Sequence, residues 1–146
     1  LIKDEKGKNV FHHLAKDELD HIKAVFAISK SVEAGRGWIG YTDALGSGAH
    51  KGLPVFPTEN ELIERLKTNP TDLNAVRIAV EIEEKAVRFY SAMLEGAHDS
   101  VEKEVIAKLI DMEKGHLKIV SAEMDALLKF GFWCGFMEFS VEKERE

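Results

Sequence analysis

Two Glu-x-x-His pairs stand 95 residues apart in this chain, Glu18 with His21 and Glu113 with His116. Three steps along a helix turn a side chain through about 300°, so the two members of each pair are neighbours on one face. Glu18 comes four residues after Leu14 and seven after Phe11, and Glu113 stands in the same relation to Leu109 and Ile106. Both glutamates therefore occupy places on an apolar stripe where leucine is expected. Glu83 does the same in another segment, three residues after Val80 and seven before Tyr90, with Glu81 and Glu84 as the competing registers. An unpaired buried carboxylate is strongly disfavoured. Three of them facing one core call for a shared cation, and a metal centre provides it. Carboxylate oxygen with imidazole nitrogen suits iron or manganese better than a thiolate-seeking metal. Bundle cores that bind two ions use this set: a Glu from each of two helices and a Glu-x-x-His from each of the other two.

A single Glu-x-x-His is weak evidence. A third one, Glu95 with His98, shows why: Gly96 interrupts the helix between its members, and Glu95 lies about 120° around the helix from Glu83. The other two pairs stand apart because they share a stripe position and long helices to hold them.

The elements that must position these residues can be read from periodicity. Residues 1–34 carry one long helix, with Phe11, Leu14, Glu18, His21, Ile22 and Val25 at steps of three and four, closed by Gly35 and Gly37. Residues 35–70 form a long connection. Its first part, 35–57, is rich in Gly and aromatic residues and reads as loop, with Pro54 and Pro57. A capping pattern from Thr58 to Glu61 then opens a short helix that Asn69-Pro70 stops. A second long helix spans 71–95, with Val76, Ala79, Val80, Ala86, Val87, Tyr90 and Leu94 inward, and a third spans 100–129. The aromatic, Gly-interrupted tail 130–146 is expected to pack across the bundle or against a second subunit, its charged last residues fraying.

Shifting the first helix by 95 positions lays Asp4 on Asp99, Val10 on Val105, Leu14 on Leu109, Glu18 on Glu113, His21 on His116 and Val25 on Val120. In all, 8 of the 22 positions from Asp4 to Val25 are identical. The first and last long helices are equivalent parts of a duplicated hairpin. The same shift puts the partner of helix 71–95 before Leu1. The expected fold is an all-α four-helix bundle whose first helix, with a sixth ligand, lies outside these residues.

Composition agrees with one soluble helical domain. The chain has 146 residues, 45% hydrophobic and 32% charged. A net charge of −6 without a basic block argues against nucleic acid and anionic membrane as partners. No apolar run approaches the roughly 18 residues of a membrane helix. Cys134 is the single cysteine, which excludes an intrachain disulfide and fits a cytoplasmic, reducing setting.

These motifs resemble a known family. Glu83-Glu84-Lys85-Ala86-Val87-Arg88-Phe89-Tyr90 is similar to the Glu-x-x-Ala-x-x-Phe-Tyr stretch of rubrerythrin-like proteins in the ferritin-like superfamily. Leu14 to His21 resembles their second helix, and Met112-Glu113-Lys114-Gly115-His116 their fourth. The likeness covers nearly the whole chain, including the long crossover between second and third helices. It implies a ferritin-like bundle holding two iron ions, with manganese able to use the same ligands. Glu18 and Glu113 would be bridging or chelating carboxylates, His21 and His116 would each ligate one ion, and Glu83 would be a further ligand. Tyr90 would be a nearby hydrogen bonder or electron donor. The implied activity is that of a di-iron oxidoreductase acting on hydrogen peroxide or dioxygen, the alternative being iron oxidation for sequestration. Two departures stand out. Rubrerythrins proper carry a four-cysteine rubredoxin domain, whereas Cys134 stands alone here, so electrons are expected from a separate rubredoxin-type carrier. Ala86 occupies a place where many relatives put an extra carboxylate. A homodimer, with helices exchanged between subunits, is the expected assembly.

Overall fold

The computed structural model describes residues 1–48 and 60–136. Five helices follow in order: α1 (Glu5–Glu33), α2 (Tyr41–Gly46), α3 (Glu61–Thr68), α4 (Asp72–Glu95) and α5 (Ser100–Phe130). The described residues contain no strand, and none of their helices is long and apolar enough to cross a membrane.

The helix starts are written in the sequence. Asp4 caps α1 by accepting from the Lys6 and Gly7 amides, and its repeat partner Asp99 caps α5 through Val101 and Glu102. Glu102 reaches back to the amides of His98 and Asp99, closing a capping box that fixes the tight α4–α5 turn. Thr71 caps α4 through the Asn74 amide. Asn60 caps α3; Thr58, Pro54 and Pro57 lie outside the described residues. One element departs from the sequence reading: Tyr41–Gly46, read as loop, forms the helical turns of α2. Its cap residue, Gly40, has no side chain to offer, and what holds it is burial of Tyr41 and Ala44 against α1 and α5.

α4 and α5 pack as an antiparallel hairpin. α1 runs antiparallel to α5, so that Val10 and Leu14 meet Ile119 and Val120 at one end, and Ala24 and Ala27 meet Val105 and Leu109 at the other. Val10, Val76, Val105, Ile106, Ile119 and Val120 are all but sealed from solvent. Each contributes roughly 1.5–3 kcal/mol by leaving water. Between these two apolar ends lies a layer of polar groups: Asp17, His21, Glu83, Glu113 and His116, all buried.

Among the described residues α1 and α4 both pack on α5, and one face of α1 is less covered than its counterpart on α5. Under the 95-residue shift, the most buried stripe of α1 (Val10, Leu14, Asp17, His21, Ala24, Ile28) matches a buried stripe of α5 (Val105, Leu109, Met112, His116, Ile119, Glu123). α5 buries a second stripe as well, including Ile106, Glu113 and Val120. The matching residues of α1 are less covered. Val25 is 36% exposed where Val120 is 0%, and the Glu18 side chain is 40% exposed where that of Glu113 is 3%. Phe11 packs on the buried cluster through Trp133, whereas Ile22 and Val25 border the less covered face of α1. A groove of about 370 Å³ runs there, walled by Val25 and Val32 of α1 and Phe89 and Met93 of α4, with Ile106 and Leu109 of α5 as its floor.

After α5, Gly131 takes a left-handed conformation (φ 75°) that lets the chain turn back. The returning tail is pinned by Glu123, 0% exposed, whose carboxylate accepts from the amides of Cys134 (2.9 Å) and Phe136 (2.7 Å). Trp133 is buried edge-on against Phe11 and donates from Nε1 to Asp72 at 2.8 Å, joining α1, α4 and α5. The expected packing of the tail across the bundle thus holds through Phe136. Cys134 is half-buried. Trp133 needs a glycine beneath it: a Cβ on Gly7 would lie 2.5 Å from its ring. Gly7→Ala should therefore destabilise the fold by about 1–3 kcal/mol through overpacking, even though alanine favours the helix by about 1 kcal/mol. A urea titration reads the difference, and an unchanged or raised midpoint would contradict this packing.

Candidate metal centre

The buried polar layer converges on one point. Glu18 and His21 reach it from α1, Glu113 and His116 from α5, and one ligand atom from each of the four lies within 4.8 Å of all the others. The imidazoles stack, centroids 5.4 Å apart, and both turn Nδ1 toward the carboxylates.

Each glutamate divides its oxygens between the two rings. Glu18 places Oε2 at 3.7 Å from His21 Nδ1 and Oε1 at 2.9 Å from His116 Nδ1. Glu113 places Oε1 at 3.3 Å from His21 Nδ1 and Oε2 at 3.4 Å from His116 Nδ1. Each carboxylate thus faces both imidazoles. Glu83 Oε1 stands 3.8 Å from His116 Nδ1 and hydrogen-bonds Glu113, so it joins the His116 end. Its burial (5% exposed) selects Glu83 over Glu84, which is exposed, and Glu81, which forks onto Arg65 of α3 at 2.8 Å through both oxygens.

The electrostatics are those of a site built for positive charge. Burial pushes the Glu83 carboxyl up to about 9, reinforced by the charge of Glu18 and a hydrogen bond to Glu113. Burial also acts upward on Glu113, but the close His116 and His21 rings, with Glu83, outweigh it and hold that carboxyl at about 2. Glu18 is lowered in the same way: burial opposes ionisation, and the close His116 and His21 rings prevail. Of the three carboxyls, Glu83 is the one whose protonated form is favoured. Glu18 Oε1 and Glu113 Oε2 are sealed from solvent yet accept no well-directed hydrogen bond. Oxygen and imidazole donors facing one another across a few ångströms fit divalent metal of the iron or manganese kind. Glu18, Glu113, His21 and His116, with Glu83 beside them, would hold it.

Tyr90 is half-buried beside this layer and lines both the apolar groove and a second hollow that opens on Glu18 and His21. Burial, with the charges of Glu113 and Glu18, pushes its hydroxyl up to about 12, so it stays protonated and able to donate. The Glu95 and His98 pair is exposed and remote from this layer, as its sequence context indicates.

One member of the layer escapes the sequence reading. Asp17 is 7% exposed, and its Oδ2 lies 3.3 Å from His116 Nε2 and 3.4 Å from His13 Nε2. A signal for it exists, since 10, 14, 17 and 21 form a regular stripe, but the acidic side chain hides it. Glu123 gives no such signal, because its partners are backbone amides of the tail.

Residues 3–124 match the sequence model of the rubrerythrin family. No curated protein and no solved structure matches the chain significantly.

Proposed function

The chain belongs to the rubrerythrin family, and from that premise we propose that it is a non-haem di-iron oxidoreductase acting on hydrogen peroxide or dioxygen. The observation that carries this reading is the bridging disposition of Glu18 and Glu113 between His21 and His116. Two ferrous ions held there would supply the two electrons that reduce peroxide, with two protons, to water.

The residues of the chain do the rest. Glu18 and Glu113 keep negative charge at the centre, while the imidazoles offer Nδ1 from either end. Glu83 holds a proton at its carboxyl and gives it up when a cation enters, so it is both ligand and proton store. Tyr90 presents a protonated hydroxyl toward the Glu18 side, where it can donate to an oxygen species. The apolar walls of the groove limit water. Reducing equivalents would come from a separate rubredoxin-type carrier. The lone Cys134 is the basis for placing the protein in the cytoplasm.

The less covered face of α1 supports a homodimer with exchanged helices.

Anaerobic loading with Fe(II), followed by peroxide or dioxygen, tests the reading. Rapid stoichiometric oxidation followed by re-reduction and turnover is expected for the full chain. Oxidation that ends in accumulated ferric mineral, with shell-sized particles by size exclusion, would replace it with iron sequestration.

A further inference from the structure

The ring of His21 has an aromatic neighbour that links it to the surface. Tyr41, the first residue of α2, packs edge-on against the imidazole, with centroids 6.1 Å apart and planes at 76°. Lys108 of α5 stands over the same phenol ring, Nζ 4.9 Å from its centroid. Tyr41 and Lys108 line a hollow of about 340 Å³ between α2 and α5, together with Thr42, Asp43, Val101 and Glu104. This hollow shares no lining residue with the one that opens on Glu18 and His21 beside Tyr90. A single buried side chain thus joins a surface hollow to a ligand of the centre, on a different side from the opening beside Tyr90.

The lining of that hollow suits a protein surface better than a small substrate. Small-molecule pockets are mostly apolar, whereas this one mixes a cation, two carboxylates and a hydroxyl. Redox encounters between proteins use small interfaces, steered by charges at their rims. Electron tunnelling through protein falls off steeply with distance, so an aromatic ring packed on a ligand is a short way in. We propose that the α2–α5 hollow is the docking point of a one-electron carrier protein, and that the Tyr41 ring conducts its electron to the His21 end of the metal centre. The inference rests on the di-iron reading above and adds the point of electron entry. Each reduced carrier gives up one electron and one ferric ion becomes ferrous, so two encounters restore the two electrons that one peroxide takes, with two protons, in becoming water. The ring is a bridge for the electron and is not itself oxidised, so its hydroxyl is not required.

Two measurements on the full chain test this separately. In the first, iron-loaded protein is oxidised with peroxide and mixed with reduced rubredoxin, and the fading of the ferric absorption is timed. Tyr41→Leu should lower the limiting rate severalfold and leave the rubredoxin concentration at half-maximum unchanged. Tyr41→Phe keeps the ring and should keep the wild-type rate. Lys108→Glu should do the reverse of Tyr41→Leu, moving the concentration dependence and its response to salt but not the limiting rate. Reduction by dithionite should be the same in every variant. A wild-type limiting rate in Tyr41→Leu, an equal loss with rubredoxin and with dithionite, or no reduction by rubredoxin at all would overturn the proposal. The second measurement adds zinc-substituted rubredoxin to the ¹⁵N-labelled chain without added iron. Amide shifts should centre on Thr42, Asp43, Glu104 and Lys108, and shifts elsewhere or none would overturn the docking point. A chain that takes up no iron would instead sink the metal reading, and the amide shifts would still decide where a carrier docks.

Discussion

Glu113→Ala should fold and bind almost no metal. Its carboxylate lies against both imidazoles, at 3.3 and 3.4 Å, and hydrogen-bonds Glu83. Loss of an outer partner of a ligand costs about 10–100-fold in affinity, and removal of a bridge between two ions should exceed that. The stability change has its own signature. Glu113 is held at about 2 in the folded chain, below its ordinary 4.5. A lowered carboxyl contributes stability that is present above the unfolded value and lost as pH falls toward the folded one. Wild type should therefore lose stability between about pH 4.5 and pH 2 more steeply than Glu113→Ala, as read by melting temperature in metal-free buffer. Unchanged metal content in the variant would remove Glu113 from the centre.

Glu83→Gln should separate stability from function in the opposite sense. Glu83 is raised to about 9, so between pH 4.5 and 9 the folded chain keeps a proton that the unfolded chain has released. Stability from this residue consequently falls as pH rises through that window. Glutamine keeps the shape and a donor for Glu113 without the charge. At pH 7 the metal-free variant should be more stable than wild type by up to about 3 kcal/mol, a rise of several degrees in melting temperature. The gain should vanish below about pH 4.5, where wild-type Glu83 is protonated in both states. Metal affinity should drop, because glutamine cannot become the anionic ligand of the His116 end. The opposed signs are the diagnostic: a residue retained at a cost to the empty fold is one selected for what it binds. A variant both less stable and fully metal-competent would contradict the assignment.

The site is more legible in the sequence than parts of the fold that carry it. Glu18, His21, Glu113 and His116 stand out because a duplication prints the pattern twice. Glu83 stands out because a carboxylate on a leucine stripe needs a buried positive partner. α2 is hidden because its helicity comes from burying Tyr41 and Ala44 in tertiary contacts, and nothing in a Gly-rich stretch announces that. Asp17 is hidden because a buried acid whose partner is a histidine 99 residues away looks, in sequence, like any solvated acid.

The central claim is that Glu18, His21, Glu83, Glu113 and His116 form a metal centre, and metal stoichiometry tests it most directly. The full chain, loaded with Fe(II) without oxygen, desalted and analysed by mass spectrometry for metal, should retain two ions per centre. A folded chain that retains none, with the ¹⁵N resonances of His21 and His116 unmoved by added metal, would contradict it.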